Sequence, residues 1–273
     1  MMRNLKIMLL FLFAAVAYSQ APAKPYSAHF VVFDGLLYRA KPDLTQFGLT
    51  PLTVVYSGVM WKKQSDQVHP PDADTVLKLA TQASKSTGIA ALDIECWPLN
   101  GDPSVVAASI QKYRQTLKLF KQAAPSLKVG YYGVAPMRDY YDSLAGRGSP
   151  KYKTWQAGND LVSSIAKDED VLFPSIYTFY KNNEDAWQKY AIEQMAEARR
   201  IAHGKPIYVF LWPQFHDATS DYLPPDYWRM ELETARKYAD GIVIWGGSQE
   251  NWNPNAPWWI QTQQFLKENG ISK

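Results

Sequence analysis

Seven short runs of β-branched, aliphatic and aromatic residues recur along the chain, most of them followed by a longer segment of helical pattern. They are "HFVVF" at 29–33, "LTVVY" at 52–56, "IAALDI" at 89–94, "KVGYYG" at 128–133, "VLFPSIY" at 171–177, "PIYVFLW" at 206–212 and "GIVIW" at 241–245. Such composition marks strands. The runs are apolar throughout rather than alternating, which suits strands covered on both faces.

The intervening segments carry helix signals. "DADTVLKLATQASKS" offers Asp72 or Asp74 as an N-cap. It sets Val76, Leu77 and Leu79 at helical spacing, with Ala80 and Ala83 completing the stripe. "DPSVVAASIQKYRQTLKLFKQAAP" stops before Pro125, and "EDAWQKYAIEQMAEARRIAHG" ends at Gly204 as a C-cap. Two further helices end in the same way, at Gly241 and Gly270.

Strand–helix alternation of this kind predicts a parallel α/β protein. After the first run, "FDGLLYRAKPD" lacks the G-x-G-x-x-G spacing of a nucleotide-binding open sheet. The runs end instead on Asp34, Tyr56, Asp93 with Glu95, Tyr131 with Tyr132, Tyr177, Trp212 and Trp245. Polar and aromatic groups gathered at strand C-termini are the habit of (β/α) barrels, so a barrel is the expected architecture.

"MMRNLKIMLLFLFAAVAYSQ" has a basic start at Arg3 and Lys6, an apolar run and then small residues. That pattern predicts a secretory signal peptide over 1–19, leaving one barrel domain over 20–273. The apolar run is short for a membrane span, so a soluble, secreted mature chain is expected. Without Arg3 and Lys6, the 29 basic residues fall to 27 against 26 acidic ones, a net charge of +1. This balance favours neither nucleic acid nor membranes as partners. Cys96 is the single cysteine, so no internal disulfide forms. The four histidines show no ligand spacing, and no metal or other cofactor is expected. They are read as structural, and Cys96 as a small buried residue.

The chemistry concentrates in "GIAALDIECWPLNG", residues 88–101. Asp93 and Glu95 on one strand share a face, with Cα atoms roughly 6–7 Å apart. Like charges that close resist joint ionisation, so one carboxyl keeps its proton to higher pH. An acid beside a carboxylate is what glycoside cleavage uses. Neighbours on one strand do not flank a sugar from opposite sides. The pair therefore suits a mechanism in which the sugar's own 2-acetamido group is the nucleophile, with Glu95 as acid/base and Asp93 as stabiliser of the acetamido group.

"ALDIECWP" resembles the D-x-E-x-W strand of the hyaluronidase family. "VGYYGVAPMRDYY", "LFPSIYTFY" and "GIVIWGGSQENW" resemble later strand segments of that family, in the same order. The resemblance implies a distorted TIM-like barrel of about seven parallel strands. It also implies Glu95 as proton donor, Asp93 as the acetamido-positioning acid and Tyr177 as donor to the acetamido carbonyl. Tyr132 and Trp245 would contact the reactive sugar, and Trp97, Glu250 and Asn251 would support binding. Three departures stand out. Pro98 follows Trp97 directly where the family places an Arg between them, Cys96 stands where a second Glu is usual, and the family's disulfides are absent.

The expected activity is thus a retaining endo-glycosidase acting on an N-acetylhexosamine-containing polysaccharide, as a monomer. A non-catalytic carbohydrate-binding barrel, or a chitinase- or muramidase-like glycosidase, remains open. The chitinase pattern places further Asp residues ahead of the acid, where this chain has Ala90, Ala91 and Leu92. Trp258 and Trp259 are assigned to helix–barrel packing, and Asp34 to a turn.

Overall fold

The computed structural model describes residues 29–217 and 220–271. The expected leader lies outside them. The described strands are β1 (Val31–Leu36), β2 (Thr50–Pro51), β3 (Thr53–Tyr56), β4 (Ile89–Asp93), β5 (Lys128–Tyr131), β6 (Tyr208–Leu211) and β7 (Gly241–Gly246). Helices alternate with them. A single turn, α1 (Ser57–Met60), precedes α2 (Ala73–Ser86), α3 (Pro103–Ala123), α4 (Pro150–Asp168), α5 (Glu184–Ile201), α6 (Pro225–Tyr238) and α7 (Pro257–Glu268).

All strand ladders are parallel. One sheet runs β2-β1-β7-β6 and the other β3-β4-β5. Two connections join them into a ring. Residues 50–56 form one extended segment whose start pairs with β1 and whose end pairs with β4. On the far side, residues 171–178 link β5 to β6 through the bridges Tyr132 to Phe173, Leu172 to Ile207 and Ser175 to Phe210. The result is a distorted TIM-like barrel with seven strand positions. The fifth is a row of isolated bridges rather than a continuous strand because Pro174, at its centre, has no N–H for the ladder. The Pro174 carbonyl still accepts from Phe210 N at 2.8 Å.

Residue parity sorts the side chains. Phe33, Ala91, Tyr132, Phe173, Phe210 and Val243 pack with one another as one buried cluster inside the ring. Their neighbours Val32, Leu92, Tyr131, Leu172, Val209 and Ile242 belong to a larger cluster that packs the helices on the outside. Each strand is therefore buried on both faces, which is why it reads as continuously apolar.

Helix starts follow the capping signals. Asp72 accepts from Thr75 N, Asp102 from Ser104 N and Val105 N, and Ser149 from Tyr152 N. Trp258 and Trp259 are buried, with Trp258 stacked on Tyr38 at 5.7 Å between ring centroids. Asp34 holds its turn by accepting from Leu36 N at 3.0 Å and pairing with Lys41 at 2.6 Å.

Three expectations are corrected. Leu77 is exposed rather than part of the α2 stripe, because Val76, Ala80 and Ala83 fill that side against the barrel. Gly241 is the first residue of β7, not a cap; a Cβ there would meet the Val31 carbonyl oxygen at 2.4 Å. Helix α4 is an added element, with Trp155, Val162 and Ile165 on its buried side.

Close strand approach also makes Gly130 indispensable. A Cβ on Gly130 would lie 1.9 Å from the Val171 carbonyl oxygen, at the junction of β5 with the fifth position. Gly148, on an open loop, has nothing within 4 Å. Gly130→Ala is expected to cost about 2–3 kcal/mol by forcing the strands apart, whereas Gly148→Ala stays within about 0.5 kcal/mol. Urea midpoints of the two variants check this, and equal midpoints would contradict the packing described.

Candidate active site

Inward parity continues past the packed interior to the C-terminal rim. There the last inward residues are Tyr56, Asp93, Tyr132, Tyr177, Trp212 and Trp245. Register brings them level. Tyr56 pairs with Asp93 across β3 and β4, and Tyr132 N bonds the Leu92 carbonyl at 3.0 Å. On the other side, Trp245 is in register with Gly35.

All of these but Tyr56 line a hollow of about 380 Å³. Asp93, Glu95, Tyr132, Tyr177 and Trp245 line it together, joined by Arg138, Trp212 and His216. A second hollow of about 270 Å³ adjoins it, with Trp97, Leu99, Asn100 and Met137 in its walls. Glu95, Tyr132 and Arg138 line both, so they mark the boundary between the two.

The first hollow is walled by aromatic rings. Tyr177 and Trp245 lie nearly parallel, 24° apart, with ring centroids at 5.8 Å. Trp212 meets Trp245 edge-on at 5.3 Å. The Trp245 indole N–H donates to the Tyr56 hydroxyl at 2.9 Å, tying β7 to β3 across the mouth. The hydroxyls of Tyr132 and Ser175 share a hydrogen bond of 3.1 Å. Polar-edged apolar walls of this kind suit a sugar, whose ring faces are apolar and whose rim is hydroxylated.

The two carboxylates differ in setting. Asp93 ends β4 and is half-buried, while Glu95 lies beyond the strand and is exposed at the rim. Burial pushes the Asp93 carboxyl up to about 6, and the charge of Glu95 adds to the rise. Burial raises the Tyr56 and Tyr177 hydroxyls, so both remain donors through the neutral range.

The remaining sequence candidates fall elsewhere. Trp97 is only 3% exposed and donates its indole N–H to the Gln67 carbonyl at 2.5 Å. It braces the second hollow and does not line the hollow of Asp93. Glu250 and Asn251 line neither hollow. Glu250 accepts from the Tyr222 hydroxyl at 2.6 Å, and Asn251 bridges Arg39. Cys96 is exposed rather than buried, because the chain leaves the sheet after Ile94. His216 is not a remote structural histidine: it lines the hollow and shares a 2.8 Å hydrogen bond between its Nδ1 and the Tyr140 hydroxyl. Burial and the Arg138 charge lower its affinity for a proton. Arg138 and His216 sit on loops, where no periodic pattern marks them. Trp212 was legible by parity, two residues beyond the inward Phe210.

A family model described as hyaluronidase matches residues 105–267, more than half of the chain. The chain belongs to the hyaluronidase family. The family match takes in Tyr132, Arg138, Tyr177, Trp212 and Trp245 and begins after Asp93 and Glu95. Hyaluronidases of Polistes annularis and Polybia paulista are each 27% identical over 141 residues. These matches cover 50% of this chain but only 38% and 48% of those relatives. A Vespula vulgaris protein named inactive hyaluronidase B is 30% identical over 145 residues, covering 41% of its length. The crystal structure of bee venom hyaluronidase shares the family fold at a TM-score of 0.63 and 17% identity. That likeness covers 89% of this chain and 99% of the bee chain.

The raised Asp93 carboxyl has a consequence for stability. The folded chain holds this proton from the ordinary aspartate range up to about 6. Its contribution therefore favours folding at low pH and is lost as pH rises through about 6. Asp93→Asn should gain on the parent between pH 4.5 and 7.5 by on the order of 2 kcal/mol, judged by urea unfolding at both pH values. A difference independent of pH would contradict the desolvated setting of this carboxyl.

Proposed function

We propose that the chain is a secreted, retaining endo-glycosidase that cleaves an N-acetylhexosamine-containing polysaccharide, hyaluronan being the first candidate. The observation that carries this reading is the placement of Asp93 and Glu95 in one aromatic-walled hollow at the C-terminal rim of the barrel. Family membership and the name of the bee venom enzyme's complex with a hyaluronic acid tetramer support the substrate class.

The acetamido sugar occupies the hollow of Asp93, its ring against Trp245. Its acetamido N–H donates to Asp93 and favours the ionised carboxylate there. Glu95, at the boundary of the two hollows, serves as the acid of the pair. Glu95 donates its proton to the glycosidic oxygen as the bond to C1 breaks. The acetamido carbonyl oxygen attacks C1 from the opposite face and forms an oxazolinium ring, with Tyr177 orienting that carbonyl. Water, deprotonated by Glu95, then opens the ring, and two inversions give net retention. The proton goes from Glu95 to the leaving sugar and returns to Glu95 from water.

A non-catalytic reading is favoured by the likeness to a relative named as inactive. The acid pair speaks against it, since binding alone gives no reason to hold two carboxylates together at the cost of raising one of them. Glu95→Gln should lower turnover by roughly 10²–10⁴-fold while leaving the fold intact. Reducing-end release from hyaluronan, chondroitin and chitin oligosaccharides, with product mass spectrometry, measures this. N-deacetylated polymer should resist cleavage, and unchanged activity of Glu95→Gln would refute the assignment.

A further inference from the structure

We infer that Glu231, on α6 and outside both hollows, is a positioning residue: through the Thr178 hydroxyl it sets the side chain of Tyr177, which orients the acetamido carbonyl. What Tyr177 does rests on the glycosidase reading.

Four glutamates are buried among the described residues. Glu193 pairs with Arg147, and Glu197 with Arg200. Glu169 accepts from Tyr131 N at 2.6 Å and feels the charges of Lys205 and Lys121. Glu231 has no such cation among the described residues. It is fully buried, its Oε1 accepts from the Thr178 hydroxyl, and its Oε2 has no partner in the chain. Burial raises its carboxyl well above the ordinary range, so it is held as the neutral acid. A leucine would fill that place with no polar group to desolvate. A buried group that stability alone does not favour is expected where the fold serves a site.

The segment that Glu231 holds lacks the usual strand support. On the β5 side, the last backbone bond of the fifth position runs from Gly133 N to the Phe173 carbonyl at 2.9 Å. Beyond it, helix side chains take over. From α5, the Tyr190 hydroxyl donates to the Ser175 carbonyl at 3.0 Å and the Trp187 indole to the Ile176 carbonyl at 2.9 Å. Thr178 points outward by parity and is reached from α6 by Glu231. Its carbonyl accepts from His216 N at 2.6 Å. Tyr177, one residue earlier, points inward, with His216 edge-on at 5.5 Å and Trp245 stacked at 5.8 Å. Neighbouring side chains leave a strand on opposite faces, so holding the outward Thr178 sets the rotation of the backbone that carries Tyr177.

A double-mutant cycle and a conservative rescue separate this role from a general effect on stability. kcat and KM are measured on the polymer that the parent cleaves best. Glu231→Leu should lower kcat roughly tenfold to a hundredfold with a smaller change in KM, because the acetamido carbonyl is oriented less well in the reacting complex. Glu231→Gln, which keeps an acceptor for Thr178, should stay within about threefold of the parent. In a Tyr177→Phe background, which lacks the hydroxyl being positioned, Glu231→Leu should cause little further loss. Three results overturn the inference while leaving the glycosidase reading standing: an unchanged kcat in folded Glu231→Leu, an equal loss in Glu231→Gln, or an equal loss with and without the Tyr177 hydroxyl. Thr178→Val removes the other half of the contact and carries the same cycle if Glu231→Leu does not fold. If the parent cleaves no polymer, calorimetric affinity for a hyaluronan hexasaccharide replaces kcat in the cycle. Coupling of Glu231 to Tyr177 there supports the positioning and removes the catalytic reading, and absence of binding overturns both.

Discussion

Backbone pairing of β4 with its two neighbours is the constraint on which the site depends. Parallel ladders hold Asp93 level with Tyr56 and set Leu92 beside Tyr131. Because side-chain direction alternates along a strand, a slip of one residue would turn Asp93 toward the helices and Leu92 into the hollow. The register is secured from both faces, since Ala91 packs inside the ring and Leu92 outside it. Desolvation of Asp93, and with it the rise of its carboxyl, is a consequence of that register.

Closure of the ring follows from two departures from regular strand structure. Residues 50–56 change partner midway, from β1 to β4, and residues 171–178 contribute only isolated bridges. Both are places where the chain must bend to complete a barrel with seven strand positions. At the second, the absence of an N–H on Pro174 interrupts the ladder and lets the following residues turn Tyr177 into the mouth. The aromatic wall then ties the rim together, with Trp245 bonded to Tyr56 and stacked on Tyr177. The same rings thus serve as structure between strands and as wall of the hollow.

Polar groups around the site divide by what they are paired with. Asp34 is engaged by Lys41, Glu250 by Tyr222 and Trp97 by a carbonyl, so each works within the fold. Asp93, Glu95 and Arg138 have no ion-pair partner among the described residues and line the groove instead. That division explains why Trp97, Glu250 and Asn251 do not line the hollow that holds Asp93, although the motif resemblance grouped them with it.

Local sequence determined the strand positions, most helix starts and the inward direction of Asp93 at the end of β4. These depend on short-range physics: β-branched composition, capping side chains and a period of two along a strand. The tertiary structure alone decided the rest. Arg138 and His216 reach the groove from loops, where direction is set by packing and carries no periodic signal. Exposure of Cys96 and Leu77 and burial of Trp97 depend on which neighbour covers them, and those neighbours are distant in the chain. Even the carboxyl that is raised could not be read from spacing, because it is burial beside Tyr56 and Tyr177, more than the nearness of Glu95, that makes Asp93 hold its proton.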